Sequence, residues 1–366
     1  MARLHGFTKQ QVLDVYHTMV LARKLDDKMM TMLKQGKAFF HMGCSGHEAA
    51  QLAAANVMKG GEDWSYPYYR DGAYCLGLGM TAKEQLLSFL ARDADPNSGG
   101  RQMPMHYGHK ALRVVSQSSP TGTQFLQAVG CALTRKMEKS REIIYVSAGE
   151  GTTSQGDFHE ALNWASRAKA PIIFHIEDNE YAISTHRSDQ TAGSVYSMVN
   201  GYKNLSRYDV DGTNFFETNL AFKQAAERAR RGKGPTVIIS NVVRLVPHSS
   251  SDDQRKYRTP EALEEDQKQD PIHILENECL EEKFFTENDI EKINNEVKTH
   301  VDQDAEWAER QDHPAIENAL THVYSANGHT AETDFVPIAE KIVLVCLLYT
   351  SPSPRDATLS RMPSSA

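Results

Sequence analysis

Residues 149–181 read GEGTTSQGDFHEALNWASRAKAPIIFHIEDNEY, and this stretch decides the fold. An apolar run at residues 142–147 precedes it and predicts a β-strand that ends in a glycine-rich turn. Residues 156–167 predict a helix, and the apolar run at residues 171–176 predicts a second strand. A strand, a crossover helix and a strand form a β-α-β unit, so the sequence predicts an α/β protein with a parallel sheet.

Polar side chains follow both predicted strands. Glu150 comes after the first strand and Asn179 after the second. The carboxyl ends of parallel strands lie on the same edge of a sheet, where α/β folds bind ligands. A carboxylate, a carboxamide and the backbone carbonyl near Tyr181 supply oxygen ligands that suit Mg²⁺ and leave positions free for a diphosphate. The pattern therefore predicts a magnesium site at this edge.

Single residues exclude other phosphate and metal motifs. A dinucleotide fingerprint that starts at Gly149 would need glycine where Ser154 stands, and no GxxxxGK[ST] motif occurs in the chain. Two stretches begin like the zinc motif HExxH, but Gln51 and Asn163 occupy the fifth position. The sequence therefore excludes a P-loop and this zinc-protease motif.

The composition fits a large enzyme rather than a nucleic-acid or membrane protein. The 366 residues include 40 Lys and Arg against 48 Asp and Glu, which gives a net charge of −8 without a basic block. No apolar run approaches the roughly 20 residues that span a bilayer. Residues 9–32 predict an amphipathic helix, and the N-terminus lacks a signal-peptide core. The 5 cysteines form no CxxC pair, which favours reduced thiols and a cytoplasmic location.

The spacing within the opening stretch is similar to that of a known family. Glu150 and Asn179 stand 29 positions apart, and the segment NEYAIST begins at Asn179. These features resemble the alpha subunits of the thiamine diphosphate-dependent 2-oxoacid dehydrogenase decarboxylases. Asp178 stands where that family has the first of two asparagines, but the ligating second asparagine is present. The resemblance implies thiamine diphosphate and Mg²⁺ as cofactors. It also implies a doubly wound parallel sheet with helices on both faces.

The resemblance further implies roles for residues elsewhere in the chain. Tyr69 and Arg70, in the aromatic segment DWSYPYYRDG, would contact the diphosphate, which arginine can bind with two hydrogen bonds. The alternative is a surface arginine beside core tyrosines. Cofactor contacts are also expected at Ser119 and Thr121, which fall at the aminopyrimidine ring, and at Gly149, Gly151, Thr152 and Asn179.

Two features resemble the branched-chain members of the family more than the pyruvate members. They are the segment GRQMPMHYG, which begins at Gly100, and the glutamate at position 150. Branched-chain members hold a structural K⁺ at positions that correspond here to Ser118, Pro120, Thr123 and Gln124. Without the resemblance, this cluster would indicate only a loop and a helix cap.

His248 is the expected catalytic residue and a further cofactor contact. It lies in the segment RLVPHSSSDDQRKYR, which is too polar for a core, and resembles the active-site loop histidine of the family. An imidazole that titrates near neutrality can protonate a developing alkoxide and later release the proton. The alternative is a solvated loop histidine. Ser249 stands where animal relatives are phosphorylated, and a dianion there would repel the diphosphate.

The chain changes character towards its C-terminus. Residues 276–311 are acidic and predict a C-terminal helical extension. Residues 335–345 resemble the opening strand of the beta half in bacterial chains that fuse the two halves. Residues 346–366 are rich in Ser and Pro, which predicts a non-native, disordered tail; the alternative is a real disordered tail. The predicted domains are 1–325 for cofactor binding, 326–345 for a linker with the first beta-half strand, and 346–366 for the tail.

The resemblance implies oxidative decarboxylation of branched-chain 2-oxo acids, with acyl transfer to a lipoyl group. Expected partners are a beta half or beta subunit, the lipoyl-bearing acyltransferase core, and a second alpha-beta unit. Neither nucleic acid nor a membrane is an expected partner. Alternatives are a pyruvate or acetoin dehydrogenase alpha subunit, and a cofactor-binding but catalytically silent truncated chain.

Overall fold

A computed structural model of the chain describes residues 3–321. Its helices are α1 (Lys9–Lys34), α2 (Glu48–Ala55), α3 (Gly72–Gly77), α4 (Ala82–Phe89), α5 (Thr123–Met137), α6 (Gly156–Ala168), α7 (Arg187–Gln190), α8 (Val195–Met198), α9 (Phe215–Arg230), α10 (Pro260–Lys268), α11 (Pro271–Glu281) and α12 (Glu287–Glu309). Its strands are β1 (Trp64–Tyr66), β2 (Ile144–Gly149), β3 (Ile172–Asp178), β4 (Tyr181–Ala182), β5 (Thr185–His186), β6 (Ser206–Asp211) and β7 (Thr236–Asn241). Short 3₁₀ helices lie at Glu150–Ser154, Val199–Gly201, Gln254–Lys256 and Ile316–Leu320.

One parallel sheet organises these elements. Its strand order is β1-β2-β3-β7-β6, and every neighbouring pair is parallel. In the pair β2-β3, Gly149 lies opposite Glu177, so the carboxyl ends of these strands are side by side. Strands β4 and β5 form a separate antiparallel hairpin directly after β3. The α/β class and the parallel sheet predicted from the sequence are confirmed.

The central strands contribute side chains to two apolar cores, one on each face of the sheet. Ile144 and Val146 pack with residues of α5 and α6, whereas Tyr145 and Ile173 pack with residues of α1, α2 and α9. Successive residues of a strand point to opposite faces, so a strand that is buried along its length needs helices on both sides. This arrangement confirms the doubly wound sheet.

The predicted helices at residues 9–32 and 156–167 are confirmed, as α1 and α6. A capping box at Thr8 begins α1. Helix α6 ends at Ala168 because Lys169 takes the left-handed conformation, with φ 51°. The predicted helical extension is confirmed as two helices, α11 and α12, since Lys283 has a φ of 56° and interrupts the helical path between them.

The described residues divide after Pro314. Residues 3–314 form one compact unit, and the 3₁₀ helix Ile316–Leu320 belongs to the second unit. The proposed boundary at residue 325, the strand at 335–345 and the tail at 346–366 lie outside the described residues and stay predictions. Among the helices of residues 3–321, none combines the length and the apolar character that a membrane crossing requires.

Candidate active site

Glu150 occupies the end of β2, at the first position of the 3₁₀ helix that follows, and is 3% exposed. Its Oε2 accepts a hydrogen bond from the backbone N–H of Asn179 at 3.3 Å. Its Oε1 is buried and has no hydrogen-bond partner among residues 3–321. Burial, and then the charge of Asp178, raise the pKa of Glu150 to about 7. A buried carboxylate oxygen without a donor is unfavourable, and a cation is a partner that would satisfy it.

Asn179 and Tyr181 follow β3 on the same edge of the sheet. The Oδ1 of Asn179 accepts a hydrogen bond from the Tyr181 N–H at 3.2 Å and retains a second lone pair. The Tyr181 ring centroid lies 5.6 Å from the guanidinium of Arg244 and 4.9 Å from that of Arg258. These contacts hold the backbone that carries the Tyr181 carbonyl. Glu150 and Asn179 are therefore in contact at this edge. The carboxylate of Glu150 and the amide oxygen of Asn179 are ligands of the kind that a hard cation binds.

The donor set contains a single carboxylate. This agrees with the absence, among the described residues, of any cluster of three or more His, Cys, Asp or Glu side chains that could hold a metal. The neighbouring Asp178 is committed elsewhere, since its Oδ2 accepts from Arg187 at 2.8 Å and its Oδ1 accepts from the Glu180 N–H at 3.0 Å. The departure from the family pattern at position 178 thus changes the charge beside Glu150 and leaves the asparagine in place.

Tyr69, Arg70 and His248 meet at a second part of the site, although Arg70 and His248 are 178 positions apart in the chain. Arg70 is 2% exposed, so the surface-arginine alternative is wrong. Its Nη1 donates to the Gly43 carbonyl at 2.7 Å, and its Nη2 donates to the His248 carbonyl at 3.2 Å. The Tyr69 ring lies 5.3 Å from the Arg70 guanidinium and meets the His248 ring edge-on at 5.9 Å.

His248 is half-buried, and its surroundings lower its pKa to about 4. Burial is the largest cause, followed by the charges of Arg70 and Arg244. Because the Arg70 guanidinium only donates, the His248 Nδ1 that lies 3.4 Å from it is an acceptor, and the ring proton is on Nε2. The expectation of an imidazole that titrates near neutrality is therefore corrected: two guanidinium groups oppose its protonation. An anion beside the ring would raise this pKa again.

Arg244 is a site residue that the sequence analysis missed. It follows β7, is 1% exposed, and donates to the Ile183 carbonyl at 3.1 Å and to the Tyr257 hydroxyl at 2.8 Å. Burial and the charge of Arg70 lower the pKa of Arg244. Within residues 3–321 neither of these two arginines forms an ion pair with a carboxylate, and each has an unpartnered Nε. Glu177 and Asp252 offset part of this positive charge without forming an ion pair, so two neighbouring buried guanidinium groups still fit an anion such as a diphosphate.

A buried polar network lies behind the strand edge and was also missed. Glu177, the neighbour of Asp178 on β3, accepts from His47 Nδ1 at 2.6 Å, from Gln51 Nε2 at 2.9 Å and from the Tyr68 hydroxyl at 3.2 Å. Burial and the Glu177 carboxylate raise the pKa of Asp71 well above its usual range. Burial lowers the pKa of His47 well below its usual range. Sequence separations above 100 residues hide this network from any local motif.

The loop before α5 carries the residues expected at the aminopyrimidine ring and at K⁺. Gly122, with φ 93°, begins the helix, and a Cβ there would lie 3.7 Å from the Thr152 methyl group, so this loop borders the turn after β2. Gln124 donates to the Ser147 carbonyl at 3.2 Å, and its buried Oε1 has no partner among residues 3–321. The other members are Ser118 and Thr123, which are half-buried, and Ser119, Pro120 and Thr121, which are exposed. Their cofactor and K⁺ roles stay predictions.

The two glycines of the turn after β2 differ in whether the structure has space for a Cβ at their positions. A Cβ at Gly151 would lie 2.6 Å from the Cβ of Ala182, so the hairpin β4-β5 approaches the turn closely only because glycine is there. A Cβ at Gly149 would make only ordinary contacts at 3.9 Å. The cofactor contacts expected at Gly149, Gly151 and Thr152 stay predictions.

Ser249, next to His248, lies largely inside the loop. It is 8% exposed, and its hydroxyl is 3.1 Å from that of Ser251. The following Ser250 exchanges hydrogen bonds with the backbone of His41, at 2.9 and 3.1 Å. These contacts fix the loop that presents His248.

Comparison with known proteins identifies the family of the chain. Residues 16–317 match the family described as "Dehydrogenase E1 component". The chain is 43% identical over 322 residues to the 2-oxoisovalerate dehydrogenase subunit alpha of Bacillus subtilis (strain 168), covering 87% of this chain and 97% of that protein. It is 30% identical over 322 residues to the mitochondrial 2-oxoisovalerate dehydrogenase subunit alpha of Dictyostelium discoideum, covering 87% and 72%. It is 32% identical over 309 residues to the pyruvate dehydrogenase E1 component subunit alpha of Staphylococcus aureus (strain Mu50 / ATCC 700699), covering 83% and 80%. The chain therefore belongs to the dehydrogenase E1 component family, the thiamine diphosphate-dependent components of 2-oxoacid dehydrogenases.

Proposed function

We propose that this chain is the alpha part of a branched-chain 2-oxoacid dehydrogenase. The enzyme decarboxylates the 2-oxo acid and transfers the acyl group to a lipoyl group. One observation carries the proposal: a buried carboxylate oxygen of Glu150, without a hydrogen-bond partner among residues 3–321, lies near the buried guanidinium of Arg244, which in turn interacts with Arg70. A divalent cation bound to a diphosphate satisfies both groups at once.

In this proposal the two parts of the site hold the two parts of the cofactor head. Glu150, Asn179 and the Tyr181 carbonyl hold Mg²⁺, and Arg70, supported by the Tyr69 ring, holds the diphosphate. Arg244 adds a second positive charge towards the same anion. When bound, thiamine diphosphate supplies the nucleophilic carbon and the electron sink for decarboxylation.

His248 handles protons in this mechanism. Its Nδ1 faces the Arg70 guanidinium at 3.4 Å, so Nε2 holds the ring proton. A diphosphate beside the ring offsets the two guanidinium charges and raises the pKa of His248 from about 4. The imidazole then gives a proton to the developing alkoxide of the substrate and takes it back later.

The relatives support a branched-chain substrate over pyruvate. Identity is 43% with a 2-oxoisovalerate dehydrogenase alpha subunit and 32% with a pyruvate dehydrogenase alpha subunit. We also propose K⁺ near Ser118, Pro120, Thr123 and Gln124, where the buried Oε1 of Gln124, without a partner among residues 3–321, is an available oxygen ligand.

Activity requires a beta half or beta subunit, because the bound cofactor would need a glutamate against its aminopyrimidine ring, and Glu150 is already assigned to Mg²⁺ in this proposal. The assembly is a dimer of alpha-beta units that delivers the acyl group to a lipoyl-bearing acyltransferase core in the cytoplasm.

The test is a comparison of steady-state rates on 2-oxoisovalerate and pyruvate, with and without a matching beta subunit and with an artificial electron acceptor. We expect turnover only in the complex, with the higher kcat/KM on 2-oxoisovalerate. Preference for pyruvate would contradict the branched-chain assignment, and substantial turnover of the isolated chain would contradict the alpha-subunit assignment.

A further inference from the structure

His47 has no role in the proposed chemistry, yet it lies directly behind a proposed metal ligand. It is completely buried at the start of α2, and its ring nitrogens lie near Glu177, Asn179 and, at 3.5 Å from Nδ1, the Tyr68 hydroxyl. Nδ1 lies 2.6 Å from Glu177 Oε2, and Nε2 lies 3.4 Å from Asn179 Nδ2. Polar groups are expensive to bury, so a packing role alone would be served better by an apolar side chain.

The hydrogen-bonding pattern fixes which ring nitrogen carries the proton. Glu177 Oε2 also accepts from Gln51 Nε2 at 2.9 Å and from the Tyr68 hydroxyl at 3.2 Å, so this oxygen is an acceptor and His47 Nδ1 donates to it. Nε2 of the neutral ring is then an acceptor, and it faces the amide nitrogen of Asn179.

This arrangement decides which end of the Asn179 amide faces the proposed metal. With the Asn179 NH₂ group directed at His47, its Oδ1 is directed to the Tyr181 N–H, on the side of the cation. The reverse amide orientation would present an NH₂ group, which cannot be a metal ligand. We propose that His47, held by Glu177, is a positioning residue that presents the oxygen of Asn179 to Mg²⁺; this inference rests on the proposed function.

The support behind His47 is itself rigid. Gln51, one turn further along α2, donates from one Nε2 both to Glu177 and to the Arg70 carbonyl, the latter at 3.0 Å. Its Oε1 accepts from the Ala73 N–H at 3.1 Å. The same network therefore positions the ligand of the metal and the backbone of the arginine that binds the diphosphate. Supporting contacts of this kind orient metal ligands and typically change metal affinity about 10–100-fold when removed.

Two substitutions separate the two contacts of His47. In His47→Asn the shorter amide can still donate to Glu177 but ends short of Asn179. In His47→Gln the longer side chain places an oxygen where Nε2 lies and keeps an acceptor for Asn179. We expect His47→Asn to weaken Mg²⁺ binding about 10–100-fold, as removal of a supporting contact typically does. His47→Gln should remain close to the wild type.

The measurement is a calorimetric titration of Mg²⁺ at saturating thiamine diphosphate, using the chain assembled with a beta subunit. The matched control is His175→Asn. His175 is equally buried and lies 3.5 Å from Glu177 Oε1, but its hydrogen bonds go to Tyr145 and Ser240 rather than to Asn179. This control should lose thermal stability and keep its Mg²⁺ affinity. If His47→Asn does not fold, His47→Leu removes the same acceptor at similar volume.

The outcomes distinguish this inference from the proposed function. Equal Mg²⁺ affinities for His47→Asn and His47→Gln, or an equal loss in His175→Asn, would overturn the positioning role. A wild-type complex that binds no thiamine diphosphate in the presence of Mg²⁺ would instead overturn the proposed function. At saturating Mg²⁺ and cofactor, kcat of His47→Asn should recover, since the amide is reoriented rather than lost.

Discussion

The two parts of the site are prepared for their ligand in opposite ways. The metal part has one carboxylate, Glu150, whose pKa is raised to about 7, so this group is only partly charged at neutral pH. The phosphate part carries the fixed charges of Arg70 and Arg244, buried without a carboxylate partner within residues 3–321. The comparison teaches that the metal part can lose a proton when its ligand binds, whereas the phosphate part is charged before its ligand binds.

Replacement of His248 by alanine tests proton transfer to the substrate next to the phosphate part. We expect turnover to fall about 10²–10⁴-fold, the usual contribution of a general acid or base, with Mg²⁺ affinity nearly unchanged. Steady-state kinetics and Mg²⁺ titration of the same preparation provide the two values. Unchanged turnover with an unchanged pH profile would return His248 to a solvated loop residue.

Replacement of Glu150 by alanine tests the metal part. It removes the only ionised protein ligand in the proposed set, so Mg²⁺-dependent binding of thiamine diphosphate should weaken more than the roughly 100-fold seen when supporting residues are lost. Calorimetry with and without Mg²⁺ measures this loss. A variant that keeps wild-type affinity would show that Glu150 does not hold the metal.

Replacement of Arg70 by alanine separates charge from packing in the phosphate part. Hydrogen bonds to charged groups are worth about 1.5–3 kcal/mol, so thiamine diphosphate should bind about 10–100-fold more weakly. Thiamine without its diphosphate serves as the control and should lose little affinity. Equal losses for both compounds would mean that Arg70 acts through packing.

The smallest expected effect is the change of Mg²⁺ affinity with pH, which tests the titration of the metal part. Because Glu150 has a pKa of about 7 and must lose its proton to bind a cation, Mg²⁺ affinity should rise with pH and level off above that value. Below it, affinity should fall about tenfold per pH unit, since one proton is displaced. The Glu150→Asp variant reports whether the midpoint follows this carboxyl group. A flat profile between acid and neutral pH would contradict the assignment.

Sequence patterns predicted β2, α6 and β3 because each has a strong local signal. The strands are largely apolar runs, IYVSAG and IIFHIED, and the helix follows a glycine-rich turn. Strand β6, with the sequence SRYDVD, was missed because it is polar and lies at the edge of the sheet formed by residues 3–321. Strand β1 has only 3 residues, too few for a periodic signal.

The residues of the site also divide into those that a sequence signal could identify and those that it could not. Glu150 and Asn179 follow strands and could be found from their spacing, and Arg70 and His248 could be found from the resemblance. Arg244 and the contacts of His47 depend on residues brought together from distant segments, and no local pattern encodes them. The lowered pKa of His248 depends on those same contacts, which explains why the sequence suggested a residue that titrates near neutrality.

The guanidinium groups of Arg70 and Arg244, which form no ion pair within residues 3–321, have a consequence for the lifetime of the protein. An anion that binds these groups only in the folded chain stabilises that chain, so the supply of the cofactor also controls resistance to unfolding. A ligand at a hundred times its Kd adds about 2.7 kcal/mol to the free energy of unfolding. Inorganic pyrophosphate with Mg²⁺, which has no thiazole ring, should by itself raise the melting temperature and slow proteolysis. In a starved cell, the fraction of this chain that survives would then report the cofactor concentration.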